Sequence, residues 1–329
     1  MSWLHRYIKL VAAATVLLIA AGGMVTSTDS GLAVPDWPNT YGHFMFSFPL
    51  EKMVGGILYE HGHRMIASTV GFMTIILALW VWRTDPRRWM HRLGFLALGA
   101  VILQGILGGI TVLYLLPAPV SIGHAGLAQI FFCLTIALSL FTSRGWREAR
   151  TPVDDPMLRL VAVATTVLVY CQIIAGATTR HLEAGMAIPD FPLIFGGLLP
   201  PAWNIGVAAH FAHRVGALLV TIAILATFGH VWYHHRGRRE LMRPALLLLA
   251  LLVVQITLGA FVIWTGLQPI VNTAHVVNGA MVLATSLVLT LRSERVRFAL
   301  DAGAAAARTS ASPAPSPFQH GPVEGTTRA

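Results

Sequence analysis

Charge is scarce in this chain of 329 residues. Asp, Glu, Lys and Arg together make up 11% of it, and hydrophobic residues make up 55%. A soluble domain carries about 25% charged residues, so an ordinary soluble fold is excluded. Cysteine is nearly absent. The two present, Cys133 and Cys171, both fall inside apolar runs. That excludes a disulfide between outer loops and makes a cysteine-based metal site improbable. Polar stretches are short, and they punctuate long apolar blocks.

Those blocks are what the sequence does contain. A helix that spans a bilayer needs roughly 20 mostly apolar residues. Eight blocks qualify, near residues 8–25, 66–82, 93–115, 122–141, 158–177, 207–232, 245–265 and 271–291. The first reads as a span and not as a cleavable signal peptide, since seven more follow and residues 20–23 make a poor cleavage site. The expected class is an all-α integral membrane protein with eight transmembrane helices.

The net charge of +9 suggests nucleic acid until its distribution is seen. Arg6 and Lys9 precede span 1. Arg83, Arg87, Arg88 and Arg92 lie between spans 2 and 3, and Arg144, Arg147, Arg150 and Arg159 between spans 4 and 5. Arg236, Arg238, Arg239 and Arg243 lie between spans 6 and 7, and Arg292, Arg295 and Arg297 follow span 8. The remaining connections hold little beyond Lys52 and Arg180. Cationic loops stay cytoplasmic, so both termini are expected inside a cytoplasmic membrane. The basicity is topology, and no nucleic-acid partner is implied. The segment after Ala302, rich in Ala, Pro, Ser and Thr, reads as a disordered tail.

The two halves repeat each other. GLAVPDWP at 31–38 returns as GMAIPDFP at 185–192, and LQGILGG at 103–109 returns as VQITLGA at 254–260. His63 returns as His213 and His124 as His275, offsets of 150 and 151. Each half has four spans, so both enter the membrane in the same sense, as parallel repeats do. The expected organisation is two pseudo-symmetric four-helix bundles, residues 1–145 and 146–300, followed by a tail over 301–329.

His63, His124, His213 and His275 are then expected at one depth, each about one turn into spans 2, 4, 6 and 8 near their outer ends. Ionisable residues at such positions are costly and face a bundle interior. A lone histidine reads as an interhelical hydrogen bond. A two-by-two pattern points to two bis-histidine haem sites, because neutral imidazole is an axial ligand for haem iron and bundle cores are where such sites are built. Zinc or copper would want further ligands; His61 or His210 could supply one, but neither bundle completes a set. Gly62, Gly123 and Gly126 either leave room for a flat macrocycle or serve close helix packing.

At this point the sequence resembles the haem A synthase family, over both halves and all eight spans. The carrying motifs are TSTDSGLAVPDWP at 26–38, EHGHR at 60–64, GHAGLAQ at 123–129, HFAHR at 210–214 and NTAHVVNGA at 272–280. The resemblance implies oxidation of the C8 methyl of haem O to the formyl group of haem A. It implies that His63 and His124 bind the substrate haem O, and that His213 and His275 hold haem b as cofactor. A haem O synthase is implied as partner, beside the lipid bilayer and an electron acceptor that no motif names. Homo-oligomerisation is left open. The chain departs from the family in its first outer loop, where many members have two cysteines. Val34 stands at one of those positions and the loop has none, so no thiol can act there.

Glu60 lies three residues before His63, and its repeat counterpart is His210. An i, i+3 pair shares a helix face, which would aim Glu60 at the haem face of His63. Oxidising a methyl group releases protons and builds positive charge on carbon, and a carboxylate could stabilise that charge or take a proton. The resemblance implies the same catalytic role; the bland alternative is an acid capping the start of span 2. Arg64 and Arg214 follow the first ligand of each half and read either as partners of haem propionates or as snorkelling interfacial residues. Gln104 and Gln255 read as interhelical hydrogen bonders, and Trp37, Trp89 and Trp203 as interfacial aromatics. His181, His230, His234 and His235 receive no role. The loops bearing Asp36 and Asp190 read as short amphipathic segments over the pockets. Two competitors are a dihaem b-type membrane carrier oxidising quinol and a haem transporter. The Glu60/His210 asymmetry disfavours the first, and the scarcity of polar, broken helices disfavours the second.

Overall fold

A computed structural model describes residues 3–147 and 153–295; the predicted tail over 301–329 lies outside them. Eight long helices account for most of the described residues: α1 (Trp3–Ser27), α2 (Gly56–Thr84), α3 (Arg88–Leu113), α4 (Ala118–Thr142), α5 (Pro156–His181), α6 (Ile205–His235), α7 (Arg239–Trp264) and α8 (Pro269–Ser293). All eight are long and apolar enough to cross a membrane. No strand occurs among the described residues. In a bilayer only structures that satisfy their own backbone can span, and a helix does so within one segment.

Turn chemistry fixes where several helices begin. Pro156 and Pro269 stand at the first position of α5 and α8, where a missing N–H costs nothing. Asp155, Asn204 and Gln268 cap α5, α6 and α8, each accepting a bond from a backbone N–H three residues on.

Neighbouring helices close a ring in each half. α1 packs on α2 and α4, and α3 packs on both of those; α5 packs on α6 and α8, and α7 closes that second ring. The halves meet where α1 touches α8 and α4 touches α5 and α8. Ile19, Phe132, Ala280 and Ala284 pack together at that seam, and glycines let the helices approach. A methyl group at Gly23 would lie 3.0 Å from Thr273, and one at Gly126 would lie 2.8 Å from Ile174. Gly126 is therefore a packing glycine against α5, not room for a macrocycle; Gly62 and Gly123 do face open space. Inside the second ring Thr166 bonds Ser286 and Thr290, and Thr165 bonds Thr227.

The helices begin earlier than hydropathy predicts. α2 starts at Gly56, ten residues before its apolar run. The polar EHGHR segment is helical because its side chains find partners inside the protein. His63, His124, His213 and His275 consequently sit six to eight residues into their helices, about two turns, and not one. At 1.5 Å per residue that is roughly 9–12 Å below the helix start.

The two ends of the bundle differ. One end gathers the starts of the odd helices and the ends of the even ones, with the arginine-rich connections; we call it the basic face. There Arg87 pairs with Asp85 and reaches Phe141 O. The other end carries two long loops, residues 28–55 and 182–204, and is the loop face.

Candidate functional site

Four rings, four glycine seats and two latched loops make up the region below the loop face. His63 on α2 lies against Gly22 of α1, where an added methyl carbon would come 3.0 Å from ring Cε1. His124 on α4 lies against Gly108 of α3 at 3.4 Å on the same measure. In the second half His213 on α6 lies against Gly176 of α5 at 2.9 Å, and His275 on α8 against Gly259 of α7 at 3.2 Å. Every ligand candidate thus has a glycine opposite it on the preceding helix. Repeat counting reaches Gly108 and Gly259, which stand in the matched LQGILGG and VQITLGA segments. It gives no reason to single out Gly22 or Gly176.

The rings are half-buried: protein surrounds them deep in the bundle, yet part of each surface stays accessible. His63 and His124 are within electrostatic reach of each other, as are His213 and His275. The two pairs differ in their second contacts. Nδ1 of His63 and Nδ1 of His124 are buried without a hydrogen-bond partner. Gln172 spans the backbone O and ring Nδ1 of His213 at 2.8 and 3.0 Å, and Gln255 sits 3.2–3.3 Å from backbone and ring of His275. Gln255 is held in turn by Asn278. Gln104 bonds the backbone O of His124, so both repeat-matched glutamines are interhelical bonders as expected. Gln172 escapes sequence reading because its first-half counterpart, 154 positions earlier, is Leu18.

Arg64 and Arg214 turn upward to the loops. Arg64 donates to the carbonyls of Val34, Asp36 and Asn39 and to Glu60 Oε1, at 2.6–3.0 Å. Arg214 donates to the carbonyls of Ile188, Asp190 and Leu193, at 2.6–3.1 Å. Each arginine fastens a loop to the helix that carries the ligand candidate. Their position directly after a histidine gives no hint of this, because side-chain direction is not set by adjacency.

Glu60 takes part in the same fastening. Its Oε2 accepts from Val34 N at 2.7 Å and its Oε1 from Arg64, and the residue is 3% exposed. In the second half His210 Nδ1 accepts from Ile188 N at 3.3 Å. Val34 and Ile188 correspond in the repeat, so a carboxylate and an imidazole do one structural job. Glu60 lies beyond the first turn of α2 and does not cap it. Both carboxylate oxygens are held, one by Arg64, one turn further on, and one by the loop. His61 bonds Thr40 Oγ1 at 2.8 Å and packs on Phe48, so it and His210 serve the loops and are not extra metal ligands.

The loops are ordered turns with short 3₁₀ segments at Leu50–Lys52 and Ala184–Met186, not amphipathic helices. Asp36 accepts from Tyr41 N and Gly42 N, and Asp190 from Phe195 N and Gly196 N. For Asp36 partial burial works upward, but donation by Gly42 and Tyr41 outweighs it and its carboxyl lies below the usual range. Asp190 is lowered too, first by Gly196 N–H. Gly42 and Gly196 both have φ of +76°, which favours glycine. Trp37 is more than an interfacial aromatic. Its indole lies where a side chain on Gly109 would be, 2.6 Å from an added methyl carbon. The matching positions of the second half hold the smaller Phe191 and Ala260.

This geometry lies within the region that a known family describes. The family model for cytochrome oxidase assembly proteins, COX15-CtaA, matches residues 5–287. The chain belongs to that family. It is 33% identical over 267 residues to the heme A synthase of Symbiobacterium thermophilum, covering 78% of this chain and 84% of that one. It is 28% identical over 308 residues to the heme A synthase of Geobacillus kaustophilus, covering 89% and 94%. A third relative, the heme A synthase of Lysinibacillus sphaericus, is 28% identical over 280 residues, covering 82% and 90%.

Proposed function

We propose that this protein catalyses the haem A synthase reaction, the oxidation of the C8 methyl of haem O to a formyl group. The observation that carries the reading is the family match across residues 5–287, supported by curated relatives named heme A synthase along most of their length. The electron-carrier alternative gains nothing from either.

The residues suit haem. Axial ligation needs a neutral imidazole with a free nitrogen, a flat space beside it and little water. Four glycine seats that fix the rings and open space beside Gly62 and Gly123 are what such a group would use. We assign His63 and His124 to haem O, in a first half over residues 1–145. We assign His213 and His275 to haem b, in a second half over 146–300. Haem b, when bound, supplies one-electron transfer. We read the halves as parallel repeats in a cytoplasmic membrane, with the basic face inside and the loop face outside.

The halves part company at Glu60. Each half latches its loop with one acceptor and one arginine, but only the first half uses a carboxylate. Loss of hydrogen from a methyl group releases protons. We assign Glu60, buried and one turn from His63, to stabilise the electron-poor carbon or receive a proton.

Glu60→Gln tests the assignment. It should keep both haems bound and lower haem A formation by about 10²–10⁴-fold, the range for one acid–base group. Haem O or its hydroxymethyl intermediate should accumulate in the extracted pigment. His210→Gln alters the same latch in the other half and should lose far less. Wild-type haem A production by Glu60→Gln, or equal losses in both variants, would remove Glu60 from the chemistry.

A further inference from the structure

The cluster left without a role sits on the basic face, at the far end of the bundle from the histidine pairs. His230 and His235 of α6 each place Nε2 on Asp155 Oδ2, at 2.8 and 2.7 Å. Asp155 precedes the first residue of α5, and its other oxygen, Oδ1, accepts from Leu158 N at 2.9 Å. One ligand atom from each of the three residues lies within 4.8 Å of the other two. All three side chains are largely buried, at 13–18% exposure. The cap bond fixes the carboxylate, and the rigid end of α6 fixes both rings.

The fold does not require this cluster. The positions 150 residues before His230 and His235, at the end of α2, are Trp80 and Asp85. Trp80 packs on Tyr7 and Asp85 pairs with Arg87 and Arg147. The first half thus builds the same corner from an aromatic contact and ordinary ion pairs. Convergence of two imidazoles on one carboxylate is peculiar to the second.

We propose that Asp155, His230 and His235 form a binding site for a divalent transition metal of the zinc class, clamping α5 to α6 at the basic face. Two nitrogens and one carboxylate oxygen make a borderline donor set. It suits zinc, where calcium or magnesium would want oxygens. Zinc binds such ligands at about 2.0–2.2 Å, in a tetrahedron that a water completes. Tetrahedral ligands at that distance lie about 3.4 Å apart, so the two N···O pairs, now 2.8 and 2.7 Å, must open by roughly 0.6–0.7 Å to make room. Surrounding positive charge opposes a cation, but part of it is paired: Arg159 with Asp154 and Arg238 with Glu240. The site is independent of the haem reading, since none of its residues belongs to the histidine pairs.

Zinc itself is the probe. Haem-loaded, full-length protein in detergent is stripped with a chelator, dialysed against zinc sulfate and analysed by elemental mass spectrometry. The wild type should hold one zinc per chain more than a His230→Gln/His235→Gln variant. Equal zinc in the two overturns the proposal and leaves Asp155 a helix cap. A second measurement needs no variant. Zinc should slow the modification of His230 and His235 by diethyl pyrocarbonate, read peptide by peptide, while His43 on the opposite face reacts as before. Unchanged rates at His230 and His235 also overturn it.

Discussion

The glycine seats make a graded prediction. Gly176→Ala places a methyl carbon 2.9 Å from His213 Cε1, where carbon atoms normally rest about 3.5–4.0 Å apart. The ring must retreat by roughly 0.6–1 Å or tilt. Overpacking of this kind costs about 1–3 kcal/mol. At about 1.4 kcal/mol per decade, haem affinity at that site should fall about 5- to 150-fold. Gly22→Ala, at 3.0 Å from His63, should be similar, and Gly259→Ala, at 3.2 Å from His275, milder. Gly108→Ala meets His124 at 3.4 Å, near ordinary contact, and should be tolerated. Alanine also favours a helix over glycine by about 1 kcal/mol. Against that overpacking cost the net loss of stability should be only about 0–2 kcal/mol, small enough for the protein to stay folded while ligation weakens. The assay is haem content per chain and the low-spin absorption spectrum of each purified variant. An unchanged spectrum and full haem in Gly176→Ala, or equal harm from Gly108→Ala, would refute the seating of the rings.

Other outcomes follow from the same geometry. His213→Ala or His275→Ala should remove the low-spin b-type spectrum while the protein still folds; a retained spectrum would reject them as ligands. Arg64→Ala strands a buried carboxylate and should lower stability by about 3–5 kcal/mol. Arg214→Ala loses similar loop bonds but leaves a neutral imidazole, so thermal denaturation should show a smaller loss. The depressed carboxyls of Asp36 and Asp190 stabilise their loops fully above the unfolded carboxyl value, and that stability is lost as pH falls through the folded value. The Gly42 and Gly196 amide resonances should therefore be constant from neutral pH down to about 4 and move only below it. A reporter enzyme fused after Glu294 should be active only in its cytoplasmic form.

Much of the fold was legible because a bilayer leaves few options: eight apolar runs became eight helices, and arginine placement marked one face. The four histidines were legible through their repeat offsets. Their depth was not, because hydropathy stops at the first charge. The α2 helix runs through Glu60, His61 and Arg64 since those side chains have partners in the loop that a linear pattern cannot display. The latch was hidden for the same reason: Val34 N and Ile188 N are backbone groups and leave no mark in sequence. Glycine seats are silent as well, for a residue without a side chain announces nothing about what lies opposite it. The Trp37–Gly109 and Phe191–Ala260 exchange was readable in principle, as two positions changing size in opposite directions.

The pairing of each histidine with a glycine on the helix before it bears on how the protein is made. Gly22 and His63 belong to one helical hairpin, Gly108 and His124 to the next, Gly176 and His213 to the third, Gly259 and His275 to the last. A hairpin is the unit that enters a membrane during synthesis, and each of the four arrives with its ring already facing its own seat. Orientation of a ligand is thus settled locally, within about 45 residues at most of chain, while the facing of two ligands waits for two hairpins to meet. The first histidine pair can be brought together before the second half has left the ribosome.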